Sequence, residues 1–222
     1  MPWRLSILSA ADNVAVGFRL YLITGPGSFP AFDALYAAVE SALKGGVTAV
    51  QLREKSLPIR DYLQRAERMR ELTSRYGAKL FVNDRIDIAV AVEADGVHLG
   101  QSSVPPYAAK NVSERLVVGV STHGPAEARR AVAEGADFLT LGPVFPTPSK
   151  MQYGAPVGLD VLKEVVAEAP VPVFGIGGIK EGNVAAVMQT GAYGIALISG
   201  ILGAPDVTAA AQEYIRRTGE GI

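Results

Sequence analysis

Side chains able to do chemistry recur at one kind of place in this sequence, directly after short apolar runs. Gln51, Arg53, Glu54 and Lys55 follow one run, and Asn83, Asp84 and Arg85 follow another. Gln101 follows a third, and Ser121, Thr122 and His123 a fourth. Thr147, Ser149 and Lys150 stand in a proline-broken segment, and Ile198-Ser199-Gly200 closes the last run. The cations Arg53, Lys55 and Lys150 meet few acids in this set, which suits an anionic ligand. Gly175-Ile176-Gly177-Gly178 precedes a helical stretch, where glycine lets the backbone approach closely and free N–H groups hold phosphate. Ser199 and Gly200 add a hydroxyl and another N–H there. A second anion site would form from Thr147, Ser149 and Lys150 with Arg53 and Lys55. Two separate anion sites imply two phosphorylated reactants, or one ligand phosphorylated at both ends. Asp84 is the acid placed to hold a divalent cation beside a diphosphate.

Plainer readings exist for several of these residues. The glycine turn also suits tight packing, and Arg53 to Lys55 also suits a solvated charge run. Asn83 and Asp84 also suit a cap for a helix beginning near Arg85. His123, in a loop facing the site, suits general acid–base work or orientation. His98 lies mid-strand and reads as a packed or hydrogen-bonded core histidine. Asp87, Glu93 and Asp95 read as surface or capping residues.

The elements that must position these groups are marked by an internal repeat. Val117-Val118-Gly119-Val120 and Gly135-Ala136-Asp137-Phe138 return 56 positions later as Val173-Phe174-Gly175-Ile176 and Gly191-Ala192-Tyr193-Gly194. Each copy reads strand, turn, helix, glycine, strand. Gly46 and the segment Ala94-Asp95-Gly96 mark two similar junctions, with glycine suited to the left-handed position where a helix ends. The apolar runs lack clean alternation, as in a parallel sheet covered on both faces. Eight such strands are predicted, near 20–24, 49–53, 80–83, 96–99, 117–121, 138–142, 173–177 and 195–199. The clearest helices are predicted at 59–76 and 125–133, the second with proline in its first turn. Eight strand–helix units predict an α/β chain folded as a single (β/α)8 TIM barrel over 18–222, with a short N-terminal extension over 1–17. The alternative is an open doubly wound sheet. In such a barrel the site lies at the C-terminal ends of the strands, where alternation points Gln51 and Arg53 at the axis.

Composition narrows the chemistry. The 222 residues are 49% hydrophobic and 19% charged, an ordinary globular balance. A formal net charge of -1 argues against nucleic acid or an anionic membrane surface as partner. Cysteine is absent, which excludes disulfides, thiolate nucleophiles and cysteine metal sites. Two histidines exclude a multi-histidine metal site. No apolar run reaches membrane-spanning length, and the cytoplasm is the default location. The sequence leaves self-association into a homo-oligomer open.

Six motifs in order at the strand ends carry a family resemblance: Val50 to Lys55, Asn83 to Arg85, Gly96 to Gln101, Gly119 to His123, Gly142 to Lys150 and Ile176 to Ile179. From about Arg19 to Leu202 the chain resembles thiamine phosphate synthase. The resemblance implies a barrel that joins a hydroxymethylpyrimidine diphosphate to a thiazole phosphate, with Mg2+, releasing pyrophosphate. By motif it implies that Gln51, Arg53, Lys55, Asn83 and Lys150 hold the pyrimidine diphosphate, and that Asp84 ligates Mg2+. Ser121, Thr147 and Ser149 would line the site near the thiazole phosphate or released pyrophosphate, and Gly178, Ile198 and Ser199 would bind a phosphate. Arg53, Lys55, Ser121 and Lys150 would carry the catalytic contacts. Where the family usually has a second acidic Mg2+ ligand, this chain has Ser103, a neutral oxygen and a poorer ligand. The chain is also similar to a related thiazole tautomerase, for which His123 would be the acid–base residue. A binding protein that has lost catalysis is a third reading.

Overall fold

The computed structural model describes residues 16–25, 29, 31–54, 57–147 and 155–219. Strands and helices alternate along the chain. In order they are β1 Leu20–Ile23, α1 Phe32–Lys44, β2 Ala49–Leu52, α2 Ile59–Arg75, β3 Lys79–Asn83 and α3 Ile86–Ala91. Next come β4 Gly96–Leu99, α4 Pro106–Val112, β5 Val117–Thr122, α5 Pro125–Ala133, β6 Phe138–Leu141 and α6 Gly158–Glu168. The last are β7 Val173–Ile176, α7 Val184–Gln189, β8 Gly194–Leu197, α8 Ser199–Leu202 and α9 Val207–Thr218. Every pairing is parallel, and β1 pairs with both β2 and β8. That closure makes the fold a (β/α)8 barrel and excludes the doubly wound sheet, whose edge strands would have one neighbour each. The predicted strands are present with ends moved by a residue or two. The largest change is at Ser199, predicted to end a strand, which instead opens α8.

Most of the helix-to-strand turns follow the glycine rule. Gly46, Gly135 and Gly191 sit at φ of 99°, 96° and 87°. At the fourth junction Glu93 takes the left-handed conformation, at φ 52°, and Gly96 opens β4 instead.

Side chains alternate along each strand between the helix layer and the barrel axis. The helix side is aliphatic, with Leu22, Val50, Val82 and Leu139 buried against the helices. Toward the N-terminal ends of the strands the axis is filled by Tyr21, Phe81, Phe138 and Phe174. Phe81 lies in register with Gly96, Phe138 with Gly119, and Phe174 with Gly194. A Cβ on Gly119 would fall 2.3 Å from the Phe138 ring, so each ring fills the space its neighbour leaves. Phe18 completes this floor, its ring centroid 5.3 to 5.9 Å from those of Tyr21, Phe81, Phe138 and Phe174. Val16, assigned from the sequence to the N-terminal extension, is fully buried in the same cluster.

Below the floor two aspartates act as struts. Asp95 Oδ2 accepts from the Leu80 N–H at 2.8 Å and from Arg70 Nη1 at 2.6 Å. Asp137 Oδ2 accepts from the Val118 N–H at 2.6 Å and from Lys110 Nζ at 2.5 Å.

The 56-residue repeat preserves strand position but not facing. Gly119 points to the axis beside Phe138 and His98, whereas its sequence equivalent Gly175 faces Val187 and Leu162 of the helix layer. A shift of one residue in strand register exchanges the two faces.

Candidate active site

Two residues beyond the aromatic floor, the axis-facing positions turn polar on β2 to β6 and stay apolar, as Ile23, Ile176 and Ile198, on and after β1, β7 and β8. The polar ones are Gln51, Asn83, His98, Ser121 and Thr140, each two residues on from Ala49, Phe81, Gly96, Gly119 and Phe138. Asn83 lies in register with His98, and Ser121 with Thr140. Gln51 is buried and donates from Nε2 to Tyr21 Oη at 3.0 Å, which satisfies a polar group that would otherwise be costly there. His98 is buried, and that burial pushes its imidazole down to about 3, leaving the ring neutral. Its Nε2 stands 3.0 Å from Ser121 Oγ and 3.4 Å from Thr140 Oγ1, while its Nδ1 is buried with no hydrogen-bond partner. The backbone carbonyl of Ser121 accepts from Gln101 Nε2 at 2.6 Å, which anchors the end of β5.

The mouth above this layer is charged. Arg53 is half-buried, and its backbone N–H bonds Thr24 Oγ1 at 2.8 Å. Burial lowers the Arg53 guanidinium pKa, and the nearby Asp84 charge opposes that shift. Among the described residues the guanidinium makes no hydrogen bond or ion pair. Its neighbour Glu54 turns away to Arg65 at 2.7 Å, so the charge run divides into a structural half and an axis-facing half. Tyr62 of α2 donates from Oη to the carbonyls of Leu52 at 2.9 Å and Asn83 at 3.3 Å, tying the ends of β2 and β3 together beneath Arg53 and Asp84.

Asp84 sits at φ 60°, a left-handed conformation that side chains other than glycine adopt infrequently. Its N–H bonds the His98 carbonyl at 3.0 Å. Its carboxylate accepts from Asn83 Nδ2 at 2.7 Å, from the Gly100 N–H at 3.3 Å and from the Ser103 hydroxyl. Ser103 Oγ in turn accepts from the Gly100 N–H at 2.7 Å. The helix-cap reading of Asn83 and Asp84 fails, because α3 starts from Arg85 without any side-chain cap bond.

Across the mouth, the turn after β7 is packed tightly. Gly177 and Gly178 lie at φ 92° and 67°, and a Cβ on Gly178 would fall 2.7 Å from Phe145 and from the Pro146 carbonyl. The loop after β6 continues the sheet, with Val144 N–H to the Ile176 carbonyl at 2.9 Å and Phe145 N–H to Gly177 at 3.0 Å. Close packing and positive φ therefore each call for glycine at these two positions. The first-turn N–H groups of α8, those of Ser199, Gly200 and Ile201, have no intrahelical carbonyl to bond; the Leu202 N–H is the first that does, to Ile198 at 3.1 Å. Ile198 is half-buried and Ser199 exposed beside this turn, and Thr147 is half-buried in the loop after β6.

The structure thus gathers Gln51, Arg53, Asn83, Asp84, Ser103 and Ser121 at the ends of neighbouring strands. His123 is exposed, and its Nδ1 pairs with Glu127 Oε2 at 2.9 Å, one turn into α5. Lys55, Ser149 and Lys150 lie outside the described residues. Thr140 and Tyr62 were not singled out from sequence. Thr140 carried one available signal, its alternation from Phe138, whereas the Tyr62 hydroxyl meets its carbonyls only through the packing of α2 on the barrel.

The family profile described as thiamine monophosphate synthase matches residues 20–201. A putative thiamine-phosphate synthase of Geobacter sulfurreducens is 54% identical over 193 residues, covering 86% of this chain and 90% of its own. A thiamine-phosphate synthase of Chloroflexus aurantiacus is 44% identical, with coverages of 89% and 91%. The solved thiamine phosphate pyrophosphorylase of Pyrococcus furiosus superposes with a TM-score of 0.82 at 40% identity, covering 91% of this chain and 96% of that one. The tautomerase and binding-protein readings find no support among the names of these relatives. A barrel with this strand-end set and these matches along most of its length belongs to the thiamine monophosphate synthase family.

Proposed function

We propose that the chain joins hydroxymethylpyrimidine diphosphate to thiazole phosphate, forming thiamine phosphate and releasing pyrophosphate. The observation that carries this reading is the half-buried Arg53 guanidinium, unpaired among the described residues, beside Asp84 and above the polar layer of Gln51, Asn83 and Ser121. A cation left without a partner in a concave mouth suits an anionic ligand group. In this reading Arg53, Lys55 and Lys150 neutralise the diphosphate as it leaves, and Asn83 binds its oxygens. Gln51 helps hold the pyrimidine diphosphate, and Ser121 lines the site near the thiazole phosphate or the released pyrophosphate. Thr147, Ser149, Gly178, Ile198 and Ser199 hold the thiazole phosphate or the released pyrophosphate. The electron-rich aminopyrimidine can support positive charge, so departure of the diphosphate precedes attack by the thiazole nitrogen. No protein nucleophile is required, and positioning and electrostatics carry the rate.

The donor set fits Mg2+. Asp84 and Ser103 present oxygen atoms only, and an ionised carboxylate has about four acceptor sites. Three are taken by Asn83, Gly100 and Ser103, which leaves capacity toward the mouth. Among the described residues no cluster of three or more acidic or histidine side chains gathers at one point. A site of one carboxylate completed by substrate oxygens and water is ordinary for Mg2+. Bound there, the ion would stabilise the departing diphosphate. Ser103 supports this arrangement by holding Asp84 in place. No described helix is long and apolar enough to cross a membrane, and with a cysteine-free chain we place the enzyme in the cytoplasm.

The test is a single reaction containing the protein, both substrates and excess Mg2+, read as thiamine phosphate after conversion to fluorescent thiochrome. Turnover is the expected outcome. Folded protein giving no product beside an active control enzyme would overturn the reading.

A further inference from the structure

We propose that His98 and Thr140 are positioning residues that force the Ser121 hydroxyl to act as a hydrogen-bond donor toward the barrel mouth. The inference deepens the synthase reading and rests on it only for the identity of the substrate. A serine hydroxyl has one proton and two acceptor lone pairs. Beneath Ser121 Oγ stand His98 Nε2 at 3.0 Å and Thr140 Oγ1 at 3.4 Å. Which way these bonds run depends on the imidazole tautomer.

The surroundings of Nδ1 decide it. That atom is buried without a partner, above the Cα of Gly119, where a Cβ would lie only 2.6 Å away. The ring is flanked by Tyr21 and Phe138, with centroids at 5.7 and 5.6 Å, and no acceptor lies within hydrogen-bond distance of Nδ1. A proton on Nδ1 would leave a buried N–H with nothing to bond, and orphaned donors are rarer than under-used acceptors. The proton therefore resides on Nε2 and is donated to Ser121 Oγ. Thr140 Oγ1 donates to the same oxygen, and its own position is tied to β5 through register with Ser121. Both lone pairs of Ser121 are then engaged from below. Its single proton is left to point upward, to a lone-pair atom of the bound substrate: a ring nitrogen or a phosphate oxygen. Ser121 is half-buried at the top of the polar layer, so the proton has access to that space.

Two measurements test this. The first needs no turnover. With two histidines in the chain, His123→Gln leaves one imidazole, and its 15N shifts report the tautomer directly. An unprotonated Nδ1 and a protonated Nε2 are expected, and the opposite tautomer overturns the proposal. The second is a double-mutant cycle on kcat and KM. His98→Leu should lower kcat by about 10-fold, a neutral hydrogen bond's worth in the transition state, with KM changed less. His98→Gln, which can place an amide N–H near Nε2, should recover most of that loss. Introduced together with Ser121→Ala, His98→Leu should cost little more than Ser121→Ala alone. Equal losses with and without Ser121 would show that His98 serves the floor rather than the hydroxyl. An inactive wild type would refute the synthase reading while leaving the tautomer result standing on its own.

Discussion

The two ends of the barrel are built from the same eight strands and treat polar groups in opposite ways. At the N-terminal end Asp95 and Asp137 each bind a cation and a backbone N–H, and the axis is closed by Phe18, Tyr21, Phe81, Phe138 and Phe174. At the C-terminal end the half-buried Arg53 guanidinium makes no hydrogen bond among the described residues, Asp84 is held at φ 60°, and His98 keeps an unpartnered Nδ1. Interactions completed within the chain stabilise the fold. The Arg53 guanidinium and the spare capacity of the Asp84 carboxylate are what a ligand can complete, at a cost in stability that the floor offsets. The division follows the general partition of this fold between a stabilising face and a reactive one.

Substitutions at the two ends should therefore separate stability from activity. Phe18→Ala should have the largest effect, about 3–5 kcal/mol of stability, because four rings lose a common neighbour. Thermal unfolding should shift down by roughly 10 °C in a domain of this size. The kcat of the folded fraction should stay near that of the wild type, and a selective loss of kcat would dissolve the distinction. Arg53→Ala should do the reverse, cutting kcat by ~10²-fold or more with little change in melting temperature. Lys150→Ala should behave alike if the second cation serves the same diphosphate. A wild-type rate in either variant would remove that cation from the site.

Asp137→Ala should cost about 1–3 kcal/mol, since the Val118 N–H and Lys110 lose their common acceptor. Its KM values should not move; chemical denaturation and steady-state kinetics on the same preparation would check both. The smallest effect belongs to Ser103→Asp. A second carboxylate beside Asp84 would repel it without a metal ion and share a divalent cation with it. The Mg2+ concentration for half-maximal rate should fall several-fold, and the metal-free protein should melt slightly lower. An unchanged or raised Mg2+ requirement would move Ser103 away from the cation.

Much of the architecture is written locally. Short apolar runs, glycine at the helix ends and proline in the first turn of α5 are each decided within a few residues, which is why strand number and order could be read in advance. Strand-end location likewise marked Gln51, Arg53, Asn83, Asp84 and Ser121, because a parallel barrel sends the ends of all its strands to one mouth. Facing was another matter. Gly119 and Gly175 are equivalent in the repeat yet point to opposite sides, since period-two alternation makes facing depend on register with both neighbours. Only the pairing and register of β4, β5 and β6 put Thr140 and His98 beneath one serine, and only the packing of α2 brings Tyr62 to the ends of β2 and β3. Ser103 shows the same division. Its chemistry as a neutral oxygen was visible from its residue type, but its role beside Asp84 is set by a hydrogen bond across 19 positions of sequence. Residue type and spacing determined which chemistry was available and at which end of the barrel. Which groups were satisfied and which were left for a ligand depended on contacts between paired strands and the helices packed on them, and those exist only once the sheet has formed.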